Sequence, residues 1–95
     1  QQMLAIARAM MAGPDLIMMD EPSLGLAPIV VKELFKSIAR IRDEGQAILL
    51  SEQNAKLALK IANRGYVFEK GRCVISGTSQ ELIADDGIRR AYLGG

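Results

Sequence analysis

The stretch Leu16-Ile17-Met18-Met19-Asp20-Glu21-Pro22 decides the fold. Four apolar residues in a row, ended by two adjacent carboxylates, predict a strand buried on both faces whose carboxyl end opens onto a polar site. Proline disfavours the helical region for the residue before it, so Glu21 is expected to stay extended and carry strand geometry through the second carboxylate. Successive side chains alternate across a strand, which sends Asp20 and Glu21 in different directions. That suits a division of labour in which Asp20 holds a hard cation such as Mg2+ and Glu21 orients or deprotonates a water for attack on a phosphate. The same residues also fit a strand that ends in a solvated acidic turn. On the apolar run and the two acids alone, both readings stay open.

Composition narrows the classes. With 95 residues the chain is one domain or part of one. A hydrophobic fraction of 49% and a mean hydropathy of +0.14 belong to a protein with a buried core, and an aromatic share of 4% means that aliphatic side chains fill it. Lys and Arg number 12 against 11 Asp and Glu, a net charge of +1 that creates no global field for nucleic acid or an acidic membrane surface. Any partner must be recognised locally. No apolar run approaches the ~18 to 20 residues that a spanning helix needs. The single Cys73 allows no internal disulfide, fits a reducing compartment and reads as a small apolar strand residue. The absence of histidine removes imidazole-based zinc sites and His-based triads. The chain begins at Gln1-Gln2 without an initiator methionine or a signal segment, so an upstream portion of a longer protein is expected.

Outward from the central stretch, Gln1 to Ala12 has helical propensity, with Leu4, Ala7 and Met11 on one stripe, and Gly13-Pro14 stops it. Ser23-Leu24-Gly25-Leu26-Ala27 is too short and too punctuated for an element and reads, on spacing alone, as a plain connector. Pro28 opens a helix that runs to Glu44 with Val31, Leu34, Phe35, Ile38 and Ile41 on its apolar stripe, and Gly45 ends it. Ala47-Ile48-Leu49-Leu50 predicts a second strand, and strand, helix, strand at this spacing is a right-handed crossover unit of a parallel sheet. Ligands of such sheets bind outside the carboxyl ends of the strands, so Asp20-Glu21 and Ser51-Glu52-Gln53 belong to one edge.

Asn54 reads as the cap of a helix over 55–62 with a stripe of Leu57, Ala58, Ile61 and Ala62. Gly65 to Gly77 predicts two strands turning at Lys70-Gly71. Thr78 and Glu81 have the spacing of a capping box, which places a short helix from Ser79 to about Ala84. Ile88 to Leu93 forms a last helical turn or two.

The run from Leu16 to Ser23, preceded by Gln1-Gln2-Met3-Leu4-Ala5-Ile6-Ala7-Arg8-Ala9-Met10, resembles the carboxyl-terminal part of an ABC-transporter ATPase subunit. The resemblance extends through Gly71-Arg72 and Thr78 to Leu82 to the final Ala91-Tyr92-Leu93-Gly94-Gly95, and so covers essentially residues 1–95. It implies an α/β fold: a partial P-loop NTPase core of parallel strands with helices, followed by a β-hairpin and short carboxyl-terminal helices. By this likeness Leu16 to Asp20 matches the Walker B strand, Asp20 contributes to holding Mg2+ through water, and Glu21 is the catalytic glutamate. Ser23, Leu24, Gly25, Leu26 and Ala27 match the D-loop that crosses between two ATPase protomers.

Within the family, Ser23 to Pro28, Ser51 to Ala55 and the Tyr92-Leu93-Gly94-Gly95 ending resemble the ATPases of branched-chain amino-acid importers, and most of all the F-type subunit of the Liv system. Most ABC ATPases carry histidine where Gln53 stands, whereas the F-type subunits carry glutamine. A carboxamide both donates and accepts hydrogen bonds, so Gln53 can contact the terminal phosphate of ATP and polarise the attacking water, but it cannot become cationic. The family's glycine-rich phosphate loop, Q-loop and signature loop are absent from residues 1–95 and are expected upstream. Without the phosphate cradle most of the expected ATP affinity is missing. The missing phosphate-loop strand would lie between Ile48–Ser51 and Tyr66–Lys70, leaving a gap that makes the piece marginal or aggregation-prone alone.

The implied partners are a second ATPase subunit, identical or related, the transmembrane permease subunits and, indirectly, a periplasmic or extracellular binding protein. The implied location is the cytoplasmic face of the cell membrane. Two rivals remain at this stage: the ATPase of a urea, amide or other amino-acid importer, and a non-catalytic truncated module that binds a full subunit through Ser23 to Ala27.

Overall fold

The computed structural model describes Gly13 and residues 15–94. The expected helix over Gln1 to Ala12 lies outside the described residues. The chain divides into two compact units, Gln1–Gln53 and Asn54–Gly95.

In the first unit, β1 (Leu16–Asp20) and β2 (Ala47–Ser51) run parallel, joined through α1 (Pro28–Asp43). Their register is level from Leu16 opposite Ala47 to Asp20 opposite Ser51, so both strands end together. Pro28 occupies the first turn of α1, where its missing N–H costs nothing. Gly45, at φ +97°, takes the left-handed conformation that ends the helix, and its N–H donates to the carbonyl of Arg42. Leu34, Phe35 and Ile38 of the predicted stripe are buried, with Leu34 fully so, while Val31 and Ile41 are half-buried.

β1 departs from expectation. Only Ile17 and Met19 are buried, whereas Leu16 and Met18 are 48% and 72% exposed. Leu49, level with Met18 on β2, is exposed as well. The unbroken apolar run is therefore buried on one face. Among the described residues β1 and β2 pair only with each other, and nothing covers the face that carries Leu16, Met18 and Leu49.

The second unit opens with α2 (Ala55–Ile61), whose cap is as expected: the Asn54 side chain accepts from the N–H of Leu57 at 3.2 Å. Its buried residue is Leu59, outside the predicted stripe, with Leu57 and Ala58 only half-buried. β3 (Arg64–Glu69) and β4 (Arg72–Thr78) form an antiparallel hairpin. Lys70 and Gly71, at φ +51° and +77°, make the two-residue turn with positive φ at both positions that matches the strand twist. α3 (Ser79–Ala84) begins at the predicted capping box: Thr78 Oγ1 accepts from the Glu81 N–H at 3.1 Å, and Glu81 Oε1 accepts from the Thr78 N–H at 2.9 Å.

The hydrogen bonds from Thr78, its backbone N–H foremost, hold the Glu81 carboxyl below its ordinary range. α4 (Asp86–Tyr92) is capped by Asp85, and the Tyr92 hydroxyl donates to the Glu69 carboxylate. Leu59, Leu82 and Ile88 form the core of this unit, with Ile75, Tyr92 and Leu93 packed against them. Ser79 is buried and ties α3 to the end of α2, its hydroxyl donating to the Ala62 carbonyl at 2.6 Å. Cys73 stands exposed on β4. No helix among the described residues is long and apolar enough to cross a membrane.

Candidate functional site at the strand ends of the first unit

The level register of β1 and β2 brings Asp20 and Ser51 side by side at the carboxyl end of the sheet, as the crossover reading requires. The Ser51 hydroxyl donates to Asp20 Oδ1 at 2.5 Å, a short bond of the kind an ionised acceptor favours. Both residues are exposed, so the Asp20 carboxylate faces water at the open end of a strand whose preceding residue, Met19, is buried.

Glu21 corrects the expectation of extended geometry. Its φ is +44°, in the left-handed region that non-glycine residues rarely occupy. The pre-proline preference for extended backbone is overridden by contacts. The Glu21 N–H donates to the Ser51 carbonyl at 2.8 Å, which extends the link to β2 by one residue, and the Leu24 N–H closes a turn onto the Glu21 carbonyl at 3.1 Å. Pro22, inside that turn, is buried. The chain thus leaves the strand at Glu21 itself, and the second carboxylate sits on the turn.

Ser23, Leu24, Gly25, Leu26 and Ala27 follow as a tight loop in which Gly25 has φ +78° and the Leu26 N–H donates to the Ser23 carbonyl at 3.1 Å. Leu24 is 69% exposed at its tip. The Ser23 hydroxyl donates to Glu52 Oε1 at 2.5 Å, joining this loop to the residue after β2. Gln53 is exposed, two residues beyond Ser51 on the same strand end. Sequence reading placed Ser51-Glu52-Gln53 at this edge without assigning work to Ser51 or Glu52. Their signal was present in the two five-residue strands that end in Asp20 and Ser51.

A hard cation finds suitable but incomplete chemistry here. Asp20 offers a solvated carboxylate beside a hydroxyl, the sparse protein contribution that suits Mg2+ shared with phosphate oxygens and water. Among the described residues no group of three or more His, Cys, Asp or Glu side chains is gathered to hold a metal by itself.

No family model matches the chain. The high-affinity branched-chain amino acid transport ATP-binding protein BraG of Pseudomonas aeruginosa is 53% identical over 95 residues, a match that covers 100% of this chain and 41% of that protein. The corresponding protein LivG of Salmonella typhimurium is 41% identical over 95 residues, covering 99% of this chain and 37% of its own length. In structure the chain is similar to MJ1267, an ATP-binding cassette of an ABC transporter in its ADP conformation, with a TM-score of 0.77 at 26% identity over 99% of this chain and 39% of that one. The chain spans about two fifths of the length of the relatives it matches. By sequence along its whole length and by fold, it is related to the ATP-binding proteins of ABC transporters and has the architecture of the stretch of them that it covers.

Proposed function

We propose that residues 1–95 are the carboxyl-terminal part of a single ATPase domain, in a subunit that binds and hydrolyses ATP to power import of branched-chain amino acids. The observation that carries this reading is the 53% identity to BraG over all 95 residues. The meeting of Asp20-Glu21 with Ser51-Glu52-Gln53 at one sheet edge supports it. Gln53 and the loop Ser23 to Ala27 favour the F type within the Liv system.

In the complete subunit Asp20, oriented by the Ser51 hydroxyl, would hold Mg2+ through water, a cation that would supply charge neutralisation at the phosphate oxygens when bound. Glu21 accepts a hydrogen bond from the hydrolytic water and orients it. Gln53 contacts the terminal phosphate through its amide without changing charge between about pH 5 and 8. Ser23 to Ala27 meet the second ATPase protomer, and ATP-driven closure of that pair moves the membrane permeases, which a binding protein supplies with cargo. The subunit works at the cytoplasmic face of the membrane.

The test is ATP turnover by the complete subunit. Glu21→Gln keeps shape but removes the carboxylate and is expected to lower turnover by about 10²-fold or more. Unchanged turnover overturns the reading. A transport assay with leucine, isoleucine and valine against urea and short amides decides the cargo.

A further inference from the structure

Glu21 holds a left-handed backbone conformation that persists only where its surroundings over-determine it. The end of β2 supplies that surrounding on both sides of the residue. Before it, the Glu21 N–H is taken by the Ser51 carbonyl. After it, past the buried Pro22, the Ser23 hydroxyl is taken by the half-buried Glu52 at 2.5 Å. The first link is backbone to backbone and would form with any side chains. The second depends on two particular ones, a hydroxyl and a carboxylate 29 positions apart in sequence.

We infer that Glu52 is a positioning residue for Glu21: by accepting the Ser23 hydroxyl it fastens the turn after β1 to the end of β2 and keeps Glu21 in its left-handed conformation. The inference rests on the ATPase reading above for the role of Glu21. A hydroxyl donating to a carboxylate is among the stronger neutral-to-charged hydrogen bonds, and its half-buried setting limits competition from water. Glu52 also directly precedes Gln53. The same tie therefore sets the loop Ser23 to Ala27 and the Gln53 segment in one frame, so that a shift of either is felt by the other.

The experiment is steady-state ATP hydrolysis by the complete ATP-binding subunit assembled with its membrane subunits. Ser23→Ala and Glu52→Ala are each expected to lower kcat roughly tenfold through misplacement of Glu21, with KM for ATP changed by less than about twofold. The double variant is expected to be no slower than the slower single one, because both remove the same link. Ser23→Thr, which restores a hydroxyl, and Glu52→Gln, which keeps shape and an acceptor oxygen, are each expected to return most of the activity.

Ser23→Ala carries the test if Glu52→Ala does not fold, and normal kcat in Ser23→Ala, or in Glu52→Ala, overturns the inference. So do losses that multiply in the double variant, or a Ser23→Thr as slow as Ser23→Ala. Glu21→Gln is measured alongside. If it is inactive while Ser23→Ala and Glu52→Ala are normal, the positioning role fails and the ATPase reading stands; if it is fully active, the ATPase reading itself fails.

Discussion

In residues 15–53 the side-chain hydrogen bonds that shape the strand ends reach far along the chain, from Ser51 to Asp20 across 31 positions and from Ser23 to Glu52 across 29. In residues 54–94 the helix caps reach only three, from Asn54 to Leu57, Thr78 to Glu81 and Asp85 to Ile88. The first unit thus builds a site that exists only when two strands are in register. The second sets its helices locally and then closes a small aliphatic core around Leu59, Leu82 and Ile88. Chemistry sits where the contacts are long-range, because only distant segments can bring different functional groups to one point.

The contrast is broken most strongly by Leu34→Ala. Leu34 is fully buried in α1, and its truncation is expected to cost about 2–5 kcal/mol. Amide exchange should speed up across residues 15–53 and much less across 54–94. Equal loss in both would mean that the two units unfold as one.

Gly65→Ala attacks the second unit. A Cβ at Gly65 would lie 2.8 Å from Leu82 Cδ1 and 2.9 Å from Leu59 Cδ2. Both leucines are buried and have little room to turn away, so a cost of about 1–3 kcal/mol is expected, read as faster exchange in residues 54–94. Protection that stays unchanged there would show that the two leucines repack freely.

The smallest effect sharpens the local side of the comparison. The folded-state pKa of Glu81 is lowered, first by the Thr78 N–H, then by its side chain, with a smaller contribution from the Arg64 charge. A carboxylate of lowered pKa contributes stability that is present above its unfolded value of about 4.3 and is lost as pH falls through the folded value. Protection of α3 amides is therefore expected to fall below about pH 4.3, and Glu81→Gln to flatten that dependence. An unaltered acid response in Glu81→Gln would remove the capping box as its source.

Legibility in the sequence followed the range of the interaction. Pro28 at the start of α1, Gly45 at its end, the Lys70-Gly71 turn, the Asn54 cap and the Thr78–Glu81 box all act within a few residues and all appear where their patterns place them. The crossover spacing also led correctly to one edge for Asp20 and Ser51. Leu59 was missed because a seven-residue helix with Leu57, Leu59 and Ile61 offers two apolar stripes, and only the packing of Leu82 and Ile88 selects between them.

By itself the sequence determined the order of elements, their caps and turns, and which segments meet at the strand ends. Tertiary structure alone decided which face of β1 is buried. Leu16 to Met19 is apolar throughout and carries no alternation to choose between Ile17 with Met19 and Leu16 with Met18. It decided the backbone at Glu21 too: a local preference of a single pre-proline residue is small beside hydrogen bonds to Ser51 and a turn closed at Leu24. Short-range rules are written in neighbouring residues, whereas the choice of a face and the strain of a site depend on partners that folding brings near.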